Sequence, residues 1–71
     1  MVAILLGTGF EESEALVPAD LLRRAGIEVS LVGVDGSAVT SAHGVTVTAD
    51  ITLAELDQDA VDMLMLPGGL G

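Results

Sequence analysis

Three carboxylates, Glu11, Glu12 and Glu14, stand directly after the glycine-punctuated bend GTGF, Gly7 to Phe10. The start of a helix carries partial positive charge and unpaired N–H groups that attract anions. Acids placed there either offset that charge or hold a proton for chemistry. The context is that of a G-x-G-x-x-G dinucleotide fingerprint, yet Glu12 occupies the place of the third glycine and the carboxylates would repel a pyrophosphate, which disfavours nucleotide binding. Counted from Glu14 at helical spacing, Val17, Pro18, Leu21, Leu22 and Ala25 share one face. That count puts Glu14 on the stripe expected to pack on a sheet. Burial raises the pKa of a carboxyl group and favours a protonated acid able to donate a hydrogen bond or exchange a proton. Glu14 is therefore the candidate catalytic acid. Glu11 and Glu12 are expected only to offset the helix dipole, with Glu12 in solvent on the side of Arg23.

The second candidate is Pro67-Gly68-Gly69, which follows the apolar run MLML. Two glycines just past a strand allow backbone N–H groups to approach a ligand closely, the arrangement of an oxyanion site. His43, in the loop SAHG, has the chemistry of a general base, although a lone loop histidine is more often a surface residue. One histidine and no cysteine build no zinc site, and Asp57, Asp59 and Asp62 lack the glycine and terminal glutamate of a calcium loop. No metal and no cofactor is expected.

The elements that must position these groups follow from periodicity. Val2 to Leu6 is a continuous apolar run, as in a parallel strand covered on both faces. Glu11 to Ala25 is helical and ends at Gly26, with Arg23 and Arg24 in its last turn. Ile27 to Val34 is a second strand that closes on Asp35-Gly36. Val39-Thr40 and Val45 to Thr48 flank the loop Ser41 to Gly44 as an antiparallel excursion. Asp50 or Thr52 is expected to cap a short helix over Leu53 to Leu56. Asp57 to Asp62 reads as a solvated connection, and Met63 to Leu66 as a buried strand with Met63 and Met65 in the core. The pattern is α/β with a mainly parallel sheet. Such a sheet needs helices on both faces, and only one long helix is available here.

Composition narrows the partners. The 71 residues are 51% hydrophobic, rich for so small a unit. A net charge of -9 and a single aromatic residue, Phe10, argue against nucleic acid and anionic membranes. The apolar run at the N-terminus is too short to span a bilayer, and no basic targeting region precedes it. A soluble, cytoplasmic protein is expected.

These segments, in this order, resemble the DJ-1/ThiJ/PfpI superfamily, most closely its DJ-1/ThiJ branch. GFEESEA is similar to the glutamate turn of that branch, LLRRAGIEVSLVGVDG to its first helix, second strand and turn, SAHGVTVTAD to its β excursion, and DMLMLPGGLG to its strand and glycine loop. The resemblance implies a flavodoxin-like α/β sandwich, usually a homodimer, whose nucleophilic cysteine lies later than this chain reaches. Residues 1–71 would be the N-terminal segment of one α/β domain, completed by a second polypeptide carrying the cysteine or by further C-terminal residues. The resemblance places the family's glutamate at Glu14, as the protonated partner of the cysteine sulfur, and its oxyanion glycines at Gly68 and Gly69. Several relatives have Arg where this chain has His43, a position near substrate or dimer partner. The implied activity is cysteine-dependent chemistry on a small reactive carbonyl, glyoxalase or deglycase in type. Alternatives are a redox-sensing chaperone without turnover, or a PfpI-like peptidase or amidase.

Overall fold

The structure is a computed structural model and describes residues 1–69. The apolar run becomes strand β1 (Val2–Leu6), followed by helix α1 (Glu12–Arg24) and strand β2 (Val29–Gly33). β1 and β2 pair in parallel from Val2 opposite Val29 to Leu6 opposite Gly33. Strands β3 (Ala38–Thr40) and β4 (Thr46–Thr48) form the expected antiparallel excursion, with Val39 opposite Val47. β5 (Ile51–Thr52) and β6 (Met63–Met65) then join the main sheet, whose order is β5-β2-β1-β6, with every neighbouring pair parallel. β1 lies inside the sheet, so both of its edges are hydrogen-bonded.

α1 starts later than expected because Glu11 is its cap, with Oε1 accepting from Ser13 N at 3.2 Å. It ends in a Schellman arrangement: Gly26 N–H donates to the Arg23 carbonyl and Ile27 N–H to the Leu22 carbonyl, both at 3.0 Å. Gly26 adopts φ +82°, the left-handed value that such an end requires. Pro18 sits inside the helix without ending it.

The phase of α1 departs from the expectation. Its buried residues are Ala15 and Ala19, supported by Leu16 and Leu22, against Val2, Ile4, Leu6, Val29 and Leu31 of the sheet. Glu14 is exposed, as are Val17 at 54% and Leu21 at 60%. The face at i, i+4, i+7 from Ala15 wins because two alanines let the helix lie close on branched side chains. Hydropathy counting gives small residues too little weight for that.

The opposite face of the sheet carries Ala3, Leu5, Val32 and Leu64, and the 53–61 segment folds over part of it. There a cleft of about 340 Å³ is lined by Leu5, Leu53, Leu56, Gln58, Val61 and Leu64. Met63, Leu64 and Leu66 are exposed and Met65 is half-buried, so the expected burial of the MLML strand does not hold within the described residues. The strand pairs only with β1 and has no described neighbour on its outer side.

Two polar ties hold the sheet edges. Asp50 Oδ2 accepts from Leu31 N at 2.8 Å and from the Arg23 guanidinium at 2.7 Å, joining β5, β2 and the end of α1. Asp50 is thus a brace, and the short turn at Leu53–Glu55 is capped from Thr52, whose N–H and hydroxyl both donate to Glu55 Oε1 at 2.9 Å. The connection expected to be free solvated chain contains a 3-10 turn at Gln58–Ala60. It is anchored to the N-terminal ammonium, which donates to the Ala60 carbonyl at 2.8 Å and to Asp62 at 2.6 Å. No helix among the described residues is long and apolar enough to cross a membrane.

Replacing Asp50 by Ala strands the partly buried Leu31 N–H and leaves Arg23 with the Val29 carbonyl as its remaining partner. The expected loss is about 1–3 kcal/mol of stability, read from the urea midpoint. Asp50→Asn keeps an acceptor for Leu31 and should lose less.

Candidate functional site

β1 and β6 run parallel, so the segments that follow them, Gly7 to Glu11 and Leu66 to Gly69, emerge side by side at the carboxyl edge of the sheet. This is where open α/β sheets present ligand sites. The two segments are stitched together through their backbones: Glu11 N–H donates to the Gly68 carbonyl at 2.7 Å, and Phe10 and Gly69 form an antiparallel bridge. Phe10 is buried and anchors the turn in the core, while its carbonyl accepts from Ala42 N at 2.8 Å. Thr40 contributes as well, its carbonyl accepting from Gly9 N at 2.9 Å.

Gly69 makes this junction possible. It has φ +131°, and a β-carbon there would overlap the Gly9 carbonyl oxygen and press on Glu11 N and Phe10 Cα at 2.9 Å. A side chain cannot be accommodated without separating the two turns.

Glu14 and the glycine loop, the two candidates singled out from the sequence, meet at this edge. Gly68 N–H donates to Glu14 Oε1 at 2.9 Å. Glu14 reaches the loop from an exposed position on the first turn of α1, not from the buried stripe. Its contact comes from the closeness of the two strand ends. The Gly68 N–H is thereby engaged by Glu14, which takes the place that an anionic ligand oxygen would take at that donor. Gly7, Phe10, Pro67, Gly68 and Gly69 line a cleft of about 100 Å³, the room of a few water molecules at roughly 30 Å³ each. The larger apolar cleft on the sheet face contains no ionisable group and is a packing surface.

Glu12 also differs from the expectation. It is half-buried, and its Oε1 stands 2.9 Å from His43 Nδ1, an ion pair when the imidazole is protonated. Glu12 Oε2 is buried with no hydrogen-bond partner among the described residues. Glu11 Oε2 stands 3.8 Å from the same His43 nitrogen. His43 is therefore paired, although 68% of its side chain is exposed. Residue spacing offers no sign of this pair, because Glu12 and His43 meet only when the Ser41 to Gly44 loop folds back over the Phe10 carbonyl.

A hydrogen bond from its own backbone N–H holds the Glu12 carboxyl below the ordinary value, and His43 adds to the effect. The hydrogen bond to Glu12 raises the His43 imidazole above its ordinary value, followed by the charges of Glu12 and Glu11. Ligating atoms of Glu11, Glu12 and His43 lie within 4.8 Å of one another. Two facts weigh against a cation there. The positive end of α1 opposes one, and His43 Nδ1 is already directed at Glu12. The group is read as an ion-pair cluster.

A parallel α/β sheet with an acid on the first helix touching a glycine loop after a neighbouring strand defines a class of carboxyl-edge site. Residues 1–71 match the profile of the DJ-1/PfpI family. The chain belongs to the DJ-1/PfpI family. It is 44% identical over 69 residues to the protein dj-1beta of Drosophila melanogaster, covering 96% of this chain and 37% of that protein. It is 38% identical over 68 residues to a deglycase of Thermococcus kodakarensis, with 96% and 41% covered. Among solved structures, the crystal structure of Drosophila DJ-1beta superposes with a TM-score of 0.91 at 42% identity, covering 99% of this chain and 38% of the other. A mutant DJ-1 superfamily protein from Salmonella typhimurium gives 0.89 at 46% identity, covering 96% and 37%. The chain thus spans about two fifths of the length of these relatives.

Gly69→Ala is expected to cost about 1–3 kcal/mol by overpacking, on top of the strain of a non-glycine residue at positive φ. Gly26→Ala provides the control, since a β-carbon there meets nothing within 4 Å and only the backbone strain remains. The check is a comparison of thermal midpoints, with Gly69→Ala the lower.

Proposed function

We propose that this chain supplies the acid-and-glycine half of a cysteine-dependent site acting on small reactive carbonyl compounds. The observation that carries the reading is the 2.9 Å contact between Gly68 N–H and Glu14 Oε1 at the carboxyl edge of the sheet. With Oε1 held by the backbone, Oε2 is the oxygen available to carry a proton. A protonated Oε2 would donate to a cysteine thiolate, stabilise it, and keep it nucleophilic. The thiolate adds to the carbonyl carbon, and the new oxygen charge is met by a backbone N–H of the glycine loop and by the proton from Glu14. The small cleft beside Gly68 and Gly69 suits a substrate of a few heavy atoms. Deglycase is the name carried by relatives from Thermococcus kodakarensis, Pyrococcus abyssi and Pyrococcus furiosus, at 38%, 37% and 34% identity.

The nucleophile comes from polypeptide outside these residues, since this chain has no cysteine. The same polypeptide would cover the apolar surface formed by Leu53, Met63, Leu64 and Leu66, all exposed here. The outer face of α1, with Val17 and Leu21, offers a second surface of that kind.

Glu14→Leu in the complete protein removes the donor to the sulfur. The cysteine pKa should rise, and carbonyl turnover should fall by about 10²- to 10⁴-fold, as for loss of a positioned acid. Thiol titration by ultraviolet absorbance and a methylglyoxal-consumption assay measure the two quantities. A cysteine pKa that stays fixed or falls would mean that Glu14 is an ionised neighbour of the sulfur, and the reading would fail.

A further inference from the structure

The cluster of Glu11, Glu12 and His43 has no part in the carbonyl reading, yet its contacts lead directly into that site. His43 meets Glu12 at 2.9 Å and Glu11 at 3.8 Å. One residue back along its loop, Ala42 N–H donates to the Phe10 carbonyl at 2.8 Å. Phe10 bridges Gly69, and Glu11 N–H holds the Gly68 carbonyl at 2.7 Å. Within the loop itself, Ser41 N–H donates to the Val45 carbonyl at 2.8 Å and Val45 N–H donates to the Ser41 hydroxyl at 3.0 Å, which ties the two ends of the loop together.

We propose that His43 is a proton-operated clamp: when protonated it fastens the Ser41 to Gly44 loop to Glu11 and Glu12, and through Phe10 it tightens the Gly68-Gly69 loop against the turn that carries Glu14. The clamp makes His43 a positioning residue. It requires no contact with substrate, and it goes beyond the carbonyl reading because its effect exists whether or not Glu14 serves a nucleophile.

The charge balance sets the working range. Glu11 and Glu12 are the ionisable groups acting on His43 among the described residues. With its folded pKa raised above the ordinary 6.5, the histidine contributes stability that is complete below 6.5 and is lost as pH climbs through the folded value. Glu12, lowered from the ordinary 4.5, contributes stability that is complete above 4.5 and is lost as pH falls through its folded value. Both contributions are whole between 4.5 and 6.5. The clamp therefore loosens on the alkaline side first, within the physiological range where histidine changes charge.

The test is solution NMR of the folded complete protein, following the His43 ring proton and the hydrogen-exchange protection factors of the Ala42 and Glu11 amides. His43 should titrate above 6.5. Both amides should be about two- to fivefold better protected near pH 5.5 than near pH 8.5, the range expected of an exposed ion pair. Glu12→Gln should bring the His43 midpoint down. His43→Ala should remove the pH dependence of protection, and His43→Arg, charged throughout, should keep protection high at both pH values. The clamp is overturned if His43 titrates at or below the ordinary value, if wild-type protection is the same at both pH values, or if His43→Ala retains the dependence. None of these readouts involves turnover, so failure of the clamp and failure of the carbonyl reading are separable.

Discussion

The hydrogen bond from Glu11 N–H to the Gly68 carbonyl is the constraint from which the site follows. It joins the turn after β1 to the loop after β6, two segments more than fifty positions apart that parallel pairing brings to the same edge. Once that bond and the Phe10–Gly69 bridge exist, the first turn of α1 has no freedom to point elsewhere. Glu14, three positions beyond Glu11, then falls within reach of the Gly68 N–H. The requirement for glycine at Gly69 follows from the same closeness, because the two backbones approach within a side chain's width.

Two of the acids tie distant elements together. Asp50 braces β5, β2 and α1, and Asp62 fixes the N-terminal ammonium beside the start of β6. Apart from the Asp20–Arg24 pair within α1, these bonds link residues far apart in the chain. The apolar side chains are used less completely. One sheet face is closed by the alanine side of α1, while the other is covered only in part and the outer strand β6 remains exposed, which accords with a chain spanning two fifths of its relatives.

Much of this was legible in advance, and particular residues show why. The β-α-β opening, the Gly26 cap and the glycine loop are encoded locally, by hydropathy period and by backbone freedom at single positions. Glu14 and Gly68 were both singled out as site residues, but the rotation of α1 read from the pattern was mistaken. Counting apolar residues put Glu14 on the buried stripe, whereas the packing surface is set by Ala15 and Ala19. The Glu12–His43 pair was missed because no spacing rule connects a helix start to a loop thirty positions later.

By itself the sequence determined the order and type of the main elements, the glycines at the turns, the family and the excess of acid. These depend on interactions among neighbouring residues or on pattern. Tertiary structure alone decided the rotation of α1, which acids became paired, and the exposure of β6. Those outcomes depend on how closely distant segments pack, and on which N–H, carbonyl and carboxylate groups are left facing one another when they do.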